Sequence, residues 1–195
     1  MSKGALIIGG SVAGLQAALD LADSGIAAHL VESTPFLGNG DSASIPKHLL
    51  NTRLLEISKH PDITVWTNTR LNRTAGEAGR FHVELRQHPR YVDETRCTGC
   101  GECVQKCPAK VPDEFDMGLR QRKAIYLYFP QAVPQVMTID PEHCIYLQRG
   151  KCGACIKICQ AEAVDFGQKE QEVTLRVGGV IVATGFDFFD PTGLT

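Results

Sequence analysis

The spacing of hydrophobic positions changes several times along this chain, and each change marks an element. Ala5 to Ile8 is an unbroken apolar run, the pattern of a parallel strand buried on both faces. Gly9-Gly10-Ser11 turns the chain. Val12, Leu15, Leu19 and Ala22 then recur on one face of a helix, and Gly25 suits its C-terminal end. Ile26 to Val31 predicts a second strand, closing a βαβ unit of about 30 residues. Pro35 to Pro46, rich in Gly, Ser, Asn and Asp, predicts a loop. Leu49, Leu50, Leu54, Leu55 and Ile57 mark a second helix that stops at His60-Pro61, and Ile63 to Trp66 predicts a third strand. Leu71–Asn72 and Phe81–Leu85 predict a hairpin around Gly76 and Gly79.

At Tyr91 the pattern breaks down into a segment that holds all eight cysteines, from Cys97 to Cys159, and fades near Phe166. Glu172 to Val177 then alternates like an exposed strand. Gly178-Gly179 interrupts it, and Val180 to Ala183 predicts a buried strand ending at Thr184-Gly185. A lone terminal strand can bury its faces only by returning to the first sheet. The expected organisation is therefore a discontinuous host domain, residues 1–92 and 168–195, interrupted by an insert over 93–167. Two domains in series with a short strand tail is the alternative.

Composition narrows the class. The 195 residues suffice for one to two domains. With 43% hydrophobic and 22% charged residues they describe a soluble globular protein, not a disordered tail or a fibre. No apolar run approaches the roughly 18 residues of a membrane span. A net charge of -2 gives no electrostatic reason to expect nucleic acid. Only four residues precede the first apolar run, too few for a signal peptide, so a cytoplasmic protein is expected. In that compartment clustered cysteines bind metal or do redox chemistry more often than they form disulfides.

The cysteines are spaced for iron–sulfur clusters. Cys97, Cys100, Cys103 and Cys107 before Pro108 read C-x2-C-x2-C-x3-C-P, the bacterial ferredoxin run. Two tight turns place three thiolates around one cubane, and Gly99 and Gly101 let the backbone wrap closely. Cys144, Cys152, Cys155 and Cys159 repeat the run as C-x7-C-x2-C-x3-C, with a longer first gap and Gln160 in place of the proline. In such pairs the fourth cysteine of each run serves the other cluster. The expected sets are Cys97, Cys100, Cys103 and Cys159 for one [4Fe–4S] cluster, and Cys144, Cys152, Cys155 and Cys107 for the second. Structural zinc is the competing reading. Zinc sites pair two C-x2-C knuckles, whereas three cysteines in one tight row crowd a single tetrahedron.

The first turn is a degenerate dinucleotide fingerprint. Gly9, Gly10, Ser11, Val12, Ala13 and Gly14 follow a strand and open a helix, with Ser11 where the G-x-G-x-x-G pattern has its middle glycine. Serine is small enough for that place and could donate to a phosphate. Glu32, 18 residues beyond Gly14 at the end of the second strand, stands where a carboxylate accepts from a ribose hydroxyl. A nucleotide-free tight turn is the bland alternative.

Other residues make weaker claims. The six histidines are scattered, and His143 beside Cys144 reads as a surface or supporting group. Lys47 and Arg53 could meet phosphate or flavin, but such residues are usually solvated. Asp116 to Tyr128, with Arg120, Arg122 and Lys123 ahead of Tyr126 and Tyr128, reads as a loop packed against the clusters. No Ser-His-Asp or Cys-His pairing suggests a hydrolytic site.

Together the fingerprint, the two cysteine runs and the returning Val182-Ala183-Thr184-Gly185 strand resemble the N-terminal part of the HdrA family, the flavin-bearing component of heterodisulfide reductases. The stretches Pro89-Arg90-Tyr91-Val92-Asp93, Val111-Pro112-Asp113-Glu114-Phe115-Asp116, Phe129-Pro130-Gln131-Ala132-Val133-Pro134 and Ala183-Thr184-Gly185-Phe186-Asp187 extend the likeness over nearly the whole chain. The resemblance implies an α/β fold: a partial, glutathione-reductase-like FAD-binding Rossmann domain with an inserted α+β two-cluster ferredoxin domain. It implies an FAD-dependent oxidoreductase component that exchanges electrons between FAD and two [4Fe–4S] clusters, with other redox subunits as partners. It adds Gly38, Thr184 and Gly185 to the candidate cofactor-binding residues. No side chain is expected to act as acid or base. The chain ends ten residues after Gly185, short of related flavoproteins, so a fragment or a reduced component is expected. A ferredoxin-type relay with an incomplete nucleotide site is the alternative reading.

Overall fold

The computed structural model describes residues 4–38, 47–116 and 118–185. The chain opens as β1 (Gly4–Ile8), α1 (Val12–Asp23), β2 (Ala27–Val31), α2 (Lys47–Lys59) and β3 (Ile63–Trp66), followed by β4 (Thr69–Glu77) and β5 (Arg80–Gln87). The cysteine segment contains α3 (Glu102–Lys106), β6 (Val111–Pro112), β7 (Gln121–Arg122), β8 (Ile125–Tyr126), β9 (Thr138–Ile139), α4 (Ile145–Arg149) and α5 (Ala154–Ile158). The described chain closes with β10 (Gln171–Val177) and β11 (Gly179–Val182).

The first sheet is wholly parallel, in the order β11-β1-β2-β3. Alternating side chains point to opposite faces of a strand, so each strand feeds two cores. Ile7 and Leu30 pack with Leu15, Ala18, Leu19 and Ala22 of α1 and with Leu54 and Ile57 of α2. Leu6 and Val31 face the other way, onto Val83, Leu85 and Val177 of an antiparallel sheet ordered β10-β5-β4. Leu15 is fully buried, and truncating such a leucine costs about 2–5 kcal/mol.

Two strands depart from their sequence reading. β4 is nine residues long where the pattern showed only Leu71–Asn72, because after Thr69 all its side chains are exposed and its backbone pairing with β5 leaves no apolar signal. The last strand does return to β1, pairing Ile8 with Val182. It is not buried, however. It forms the sheet edge, with Ile181 37% and Val182 69% exposed, and no described strand pairs beyond it.

The cysteine segment leaves β5 and rejoins β10 through two adjacent crossings. Val92 bridges Val164, Asp93 N–H donates to Ala163 O at 2.7 Å, and Asp165 N–H donates to Tyr91 O at 3.0 Å. Arg90 ties this stretch to the first sheet. Its guanidinium is buried and donates to Pro35 O (2.7 Å), Thr67 Oγ1 (2.6 Å) and Glu94 Oε1 (2.9 Å), and it stands over the ring of Phe36 at 5.3 Å. Phe36 in turn meets Tyr126 and Tyr128. The expected loop over Asp116–Tyr128 contains two short ladder strands instead, and an ion network centred on the buried guanidinium of Arg122. Arg122 donates to Asp140 Oδ2 at 2.8 Å and to both carboxylate oxygens of Glu114, while stacking on Tyr126. Among the described residues no helix is long and apolar enough to cross a membrane.

Candidate functional site

Backbone contact governs the first turn. Gly9 has φ of 110°, and a Cβ there would lie 2.2 Å from Ala183 O. A Cβ on Gly14 would lie 2.0 Å from Gly9 O. Both positions therefore require glycine, as a strand packed tightly onto the start of its helix demands. Ser11 caps α1, accepting from Gly14 N–H at 3.4 Å. Its hydroxyl donates to Ala183 O at 2.7 Å, so here it ties the turn to the last strand. Glu32 reaches back from the end of β2. Its Oε2 accepts from Gly10 N–H and its Oε1 from Thr34 N–H, both at 2.7 Å.

Gly9, Ser11 and Gly14 thus meet Ala183 and Thr184, and Gly10 meets Glu32. Val12 and Ala13 form the first turn of α1. Gly38 stands elsewhere: its φ is 78°, and a Cβ would touch Leu50 and Leu54 of α2. Thr184 and Gly185 are exposed. Arg53 pairs with Glu56 at 2.9 Å. The side chain of Lys47 lies outside the described residues.

The eight cysteines divide between two hollows. One, of about 290 Å³, is walled by Cys97, Cys100, Cys103 and Cys159. The other, narrower at about 20 Å³, is walled by Cys107, Cys144, Cys152 and Cys155. Ile125 lines both and stands between them; Met137 completes one wall and Ile139 the other. Among the described residues no three His, Cys, Asp or Glu side chains close on a single ion; the thiols stand around walls instead. Burial pushes the Cys103 thiol up to about 12, helped by Cys97 and Cys100, and the Cys155 thiol up to about 11. Without a cation both stay neutral at ordinary pH, so metal loading must release protons.

The two halves repeat each other in three dimensions. Gly101 and Gly153 adopt φ of 81° and 80°, and each opens a five-residue helix, α3 or α5, closed by Cys107 or Cys159 in extended conformation. Upstream the match continues beyond the cysteines. Cys97 N–H donates to Asp93 O and Cys144 N–H to Asp140 O, both at 3.0 Å. The carboxylates of these aspartates accept from Thr95 N–H and Glu142 N–H. The sequence carries this as D-x3-C in both halves, at Asp93 and Asp140, a signal that reading the cysteines alone passes over. The longer gap of the second run is α4, five residues with no counterpart in the first. His143 is exposed and bonded to Asp140 Oδ2 at 2.9 Å.

The chemistry of the donor sets fits iron–sulfur binding: each hollow gathers four soft thiols, the first beside Thr98, Glu102 and Gln160 and the second among mainly apolar residues. The glycine turn fits a dinucleotide through its close backbone packing and the carboxylate at the end of β2.

Residues 90–113 match the 4Fe-4S binding domain family. The chain is 44% identical, over 98% of its length, to the iron-sulfur "A" component of CoB--CoM heterodisulfide reductase from Methanocaldococcus jannaschii. It is 48% identical over 96% of its length to the second such component from Methanopyrus kandleri. It is 41% identical, also over 96%, to the corresponding component of the H(2):CoB-CoM heterodisulfide,ferredoxin reductase of Methanothermobacter marburgensis. The chain spans 30%, 29% and 29% of these three relatives. A FAD-dependent pyridine nucleotide-disulphide oxidoreductase from Desulfovibrio vulgaris is 31% identical over 42% of this chain and 20% of that one, with a TM-score of 0.33.

Proposed function

We propose, for a chain that corresponds to part of the HdrA component of heterodisulfide reductase, that it is the flavin-and-cluster portion of an iron–sulfur flavoprotein. On this reading residues 1–92 and 168–195 form the FAD-binding host and 93–167 the ferredoxin-like insert. Two [4Fe–4S] clusters are held in crossed fashion: Cys97, Cys100, Cys103 and Cys159 hold one, and Cys144, Cys152, Cys155 and Cys107 the other. The observation that carries it is the pair of hollows, each walled by three cysteines of one run and the last cysteine of the other.

FAD, when bound, supplies chemistry that links electron pairs to single electrons. The chain's own residues bind and position. Gly9, Gly10 and Gly14 keep the turn bare enough for a pyrophosphate, Ser11 holds that turn to Ala183, and Val12 and Ala13 present the start of α1. Glu32 orients the adenosine ribose. Gly38, Thr184 and Gly185 belong to the same reading, with the last two beside the turn. In the insert, Ile125, Met137 and Ile139 shield the buried thiolates of Cys103, Cys144 and Cys155 from water. The Ala163 N–H, 3.4 Å from Cys159 Sγ, donates to a cluster sulfur ligand, a contact that raises reduction potential. The partners are other redox subunits of a heterodisulfide-reductase-like complex.

Electron paramagnetic resonance of the anaerobically reduced chain tests the cluster half. Two clusters in one small insert give a spin-coupled signal. An uncoupled signal from one cluster contradicts the crossed pair.

A further inference from the structure

The two hollows differ in the charge buried beside them. The repeat that matches Asp93 with Asp140 sets Arg90, three residues ahead of the first aspartate, against Met137, three ahead of the second. Met137 is an apolar wall of the first hollow. Arg90 is a cation only 4% exposed. Its Nη1 donates to Val136 O at 3.5 Å, beside Met137. The same stretch backs the first cysteine loop, since a Cβ on Gly99 would stand 3.0 Å from Gln135 O. Two residues beyond Arg90, Val92 lines the first hollow as well, and Asp93 O then accepts from Cys97 N–H. The far side of the guanidinium reaches the host, at Pro35 O and Thr67 Oγ1. Pro35 follows Thr34, whose N–H holds Glu32.

Burial opposes the charge of Arg90, while Glu94, Tyr126 and Cys97 favour it. A guanidinium keeps its proton under such conditions. Among the described residues its carboxylate partner is Glu94, at 2.9 Å and half-exposed. The Asp93 carboxylate turns instead to Thr95 and Arg96. The buried guanidinium of the second half is opposed more fully: Arg122 donates to two carboxylates, Glu114 and Asp140. Exposed charges of both signs stand around each hollow, where salt screens them; a buried charge is screened much less.

We propose that Arg90 sets the reduction potential of the cluster in the first hollow, holding it above the value its thiolates alone would give. The proposal rests on the cluster reading above. One added electron makes a thiolate-bound cluster more negative, and a fixed cation in a low-dielectric wall stabilises that state. No bond forms or breaks and no proton moves; the guanidinium acts by its charge. Its bonds to Pro35 and Thr67 place that charge at the seam with the dinucleotide host, so the raised cluster is the one tied to that host.

The test is a redox titration of the cluster-loaded full chain, followed by electron paramagnetic resonance. Cys107→Ser with Cys152→Ser leaves the first cluster to be read alone, and Cys100→Ser with Cys159→Ser leaves the second. Arg90→Gln should make reduction of the first cluster at least about tenfold less favourable, about 59 mV for one electron. The second cluster should change less than about twofold, as a distant site does. Glu94→Gln removes the opposing anion and should shift the first cluster the other way. Arg90→Lys keeps the charge and loses the fork, so the urea midpoint should fall while the potential stays within about threefold. Thr67→Val removes an acceptor but no charge and should move neither potential. The Arg90→Gln shift should persist from about 0.1 to about 1 M salt, although the screening length falls from about 10 to about 3 Å. An unmoved first cluster in Arg90→Gln, equal shifts in both clusters, or a matching shift in Thr67→Val overturns the proposal. Where Arg90→Gln fails to load the first cluster, a potential that does not rise in Glu94→Gln overturns it. A preparation holding zinc and no clusters overturns the cluster reading, and this role with it.

Discussion

The Ser11 hydroxyl donates to the carbonyl of Ala183 at 2.7 Å, joining the first turn of the chain to the end of its last described strand. The same oxygen caps α1, so one small side chain serves both the helix and the sheet. Ser11→Ala removes both contacts. We expect a loss of about 1–2 kcal/mol in urea unfolding. An unchanged midpoint would show that the tie is incidental.

Glu32 bridges the turn to β2 through Gly10 N–H and Thr34 N–H. Glu32→Gln keeps the shape and loses the charge that makes these contacts strong. FAD affinity should fall roughly tenfold or more, the scale of a hydrogen bond to a charged group, while iron content stays constant. Gly14→Ala should go further, since its Cβ would press on Gly9 O. Fluorescence quenching of added FAD checks both.

Crossed ligation makes an unusual demand on single cysteine variants. Cys107 belongs to the first run but lines the second hollow. Cys107→Ser should disturb the cluster of Cys144, Cys152 and Cys155 and leave that of Cys97, Cys100 and Cys103 intact; Cys159→Ser should do the reverse. Ligation run by run predicts the opposite assignments. Resonance spectra of the paired variants, each combined with Cys152→Ser, separate the two schemes.

The buried guanidinium of Arg122 anchors the middle of the insert. Burial alone would lift the Asp140 carboxyl, but Arg122 and His143 hold it below its ordinary 3.8. The hydrogen bonds from Arg122 hold Glu114 below 4.5. A carboxylate with a depressed folded pKa adds stability above its unfolded value and loses it as pH falls through the folded value. Stability should therefore drop as pH goes below about 4.5, and less steeply in Arg122→Gln. That variant should cost about 1–3 kcal/mol near neutral pH, because it takes the charged partner from Asp140 and leaves it His143 and the Glu142 N–H. Lysine should not restore it, since one ammonium cannot span both carboxylates.

The parallel sheet was legible because its strands are short apolar runs bounded by glycine, and the cysteines because their spacing is set by the cubane. What the pattern hid lies where backbone or context decides. β4 is exposed along eight of its nine residues, so no periodicity marks it. Val182 belongs to an apolar run yet lies open, because burial depends on a neighbour that sequence period does not report. Arg90 looks like one arginine among many, and only the fold shows it buried between Pro35, Thr67 and Glu94. Ser11 resembles a phosphate donor because the fingerprint assigns that place to the ligand; the hydroxyl instead finds Ala183.

The central claim is that one chain carries both a dinucleotide turn and two clusters. Iron, acid-labile sulfide and flavin measured on one anaerobic preparation test it most directly. The expected result is about eight iron and eight sulfide per chain and, with FAD supplied, about one flavin. Zinc without sulfide, or four iron that do not rise on reconstitution, would contradict it.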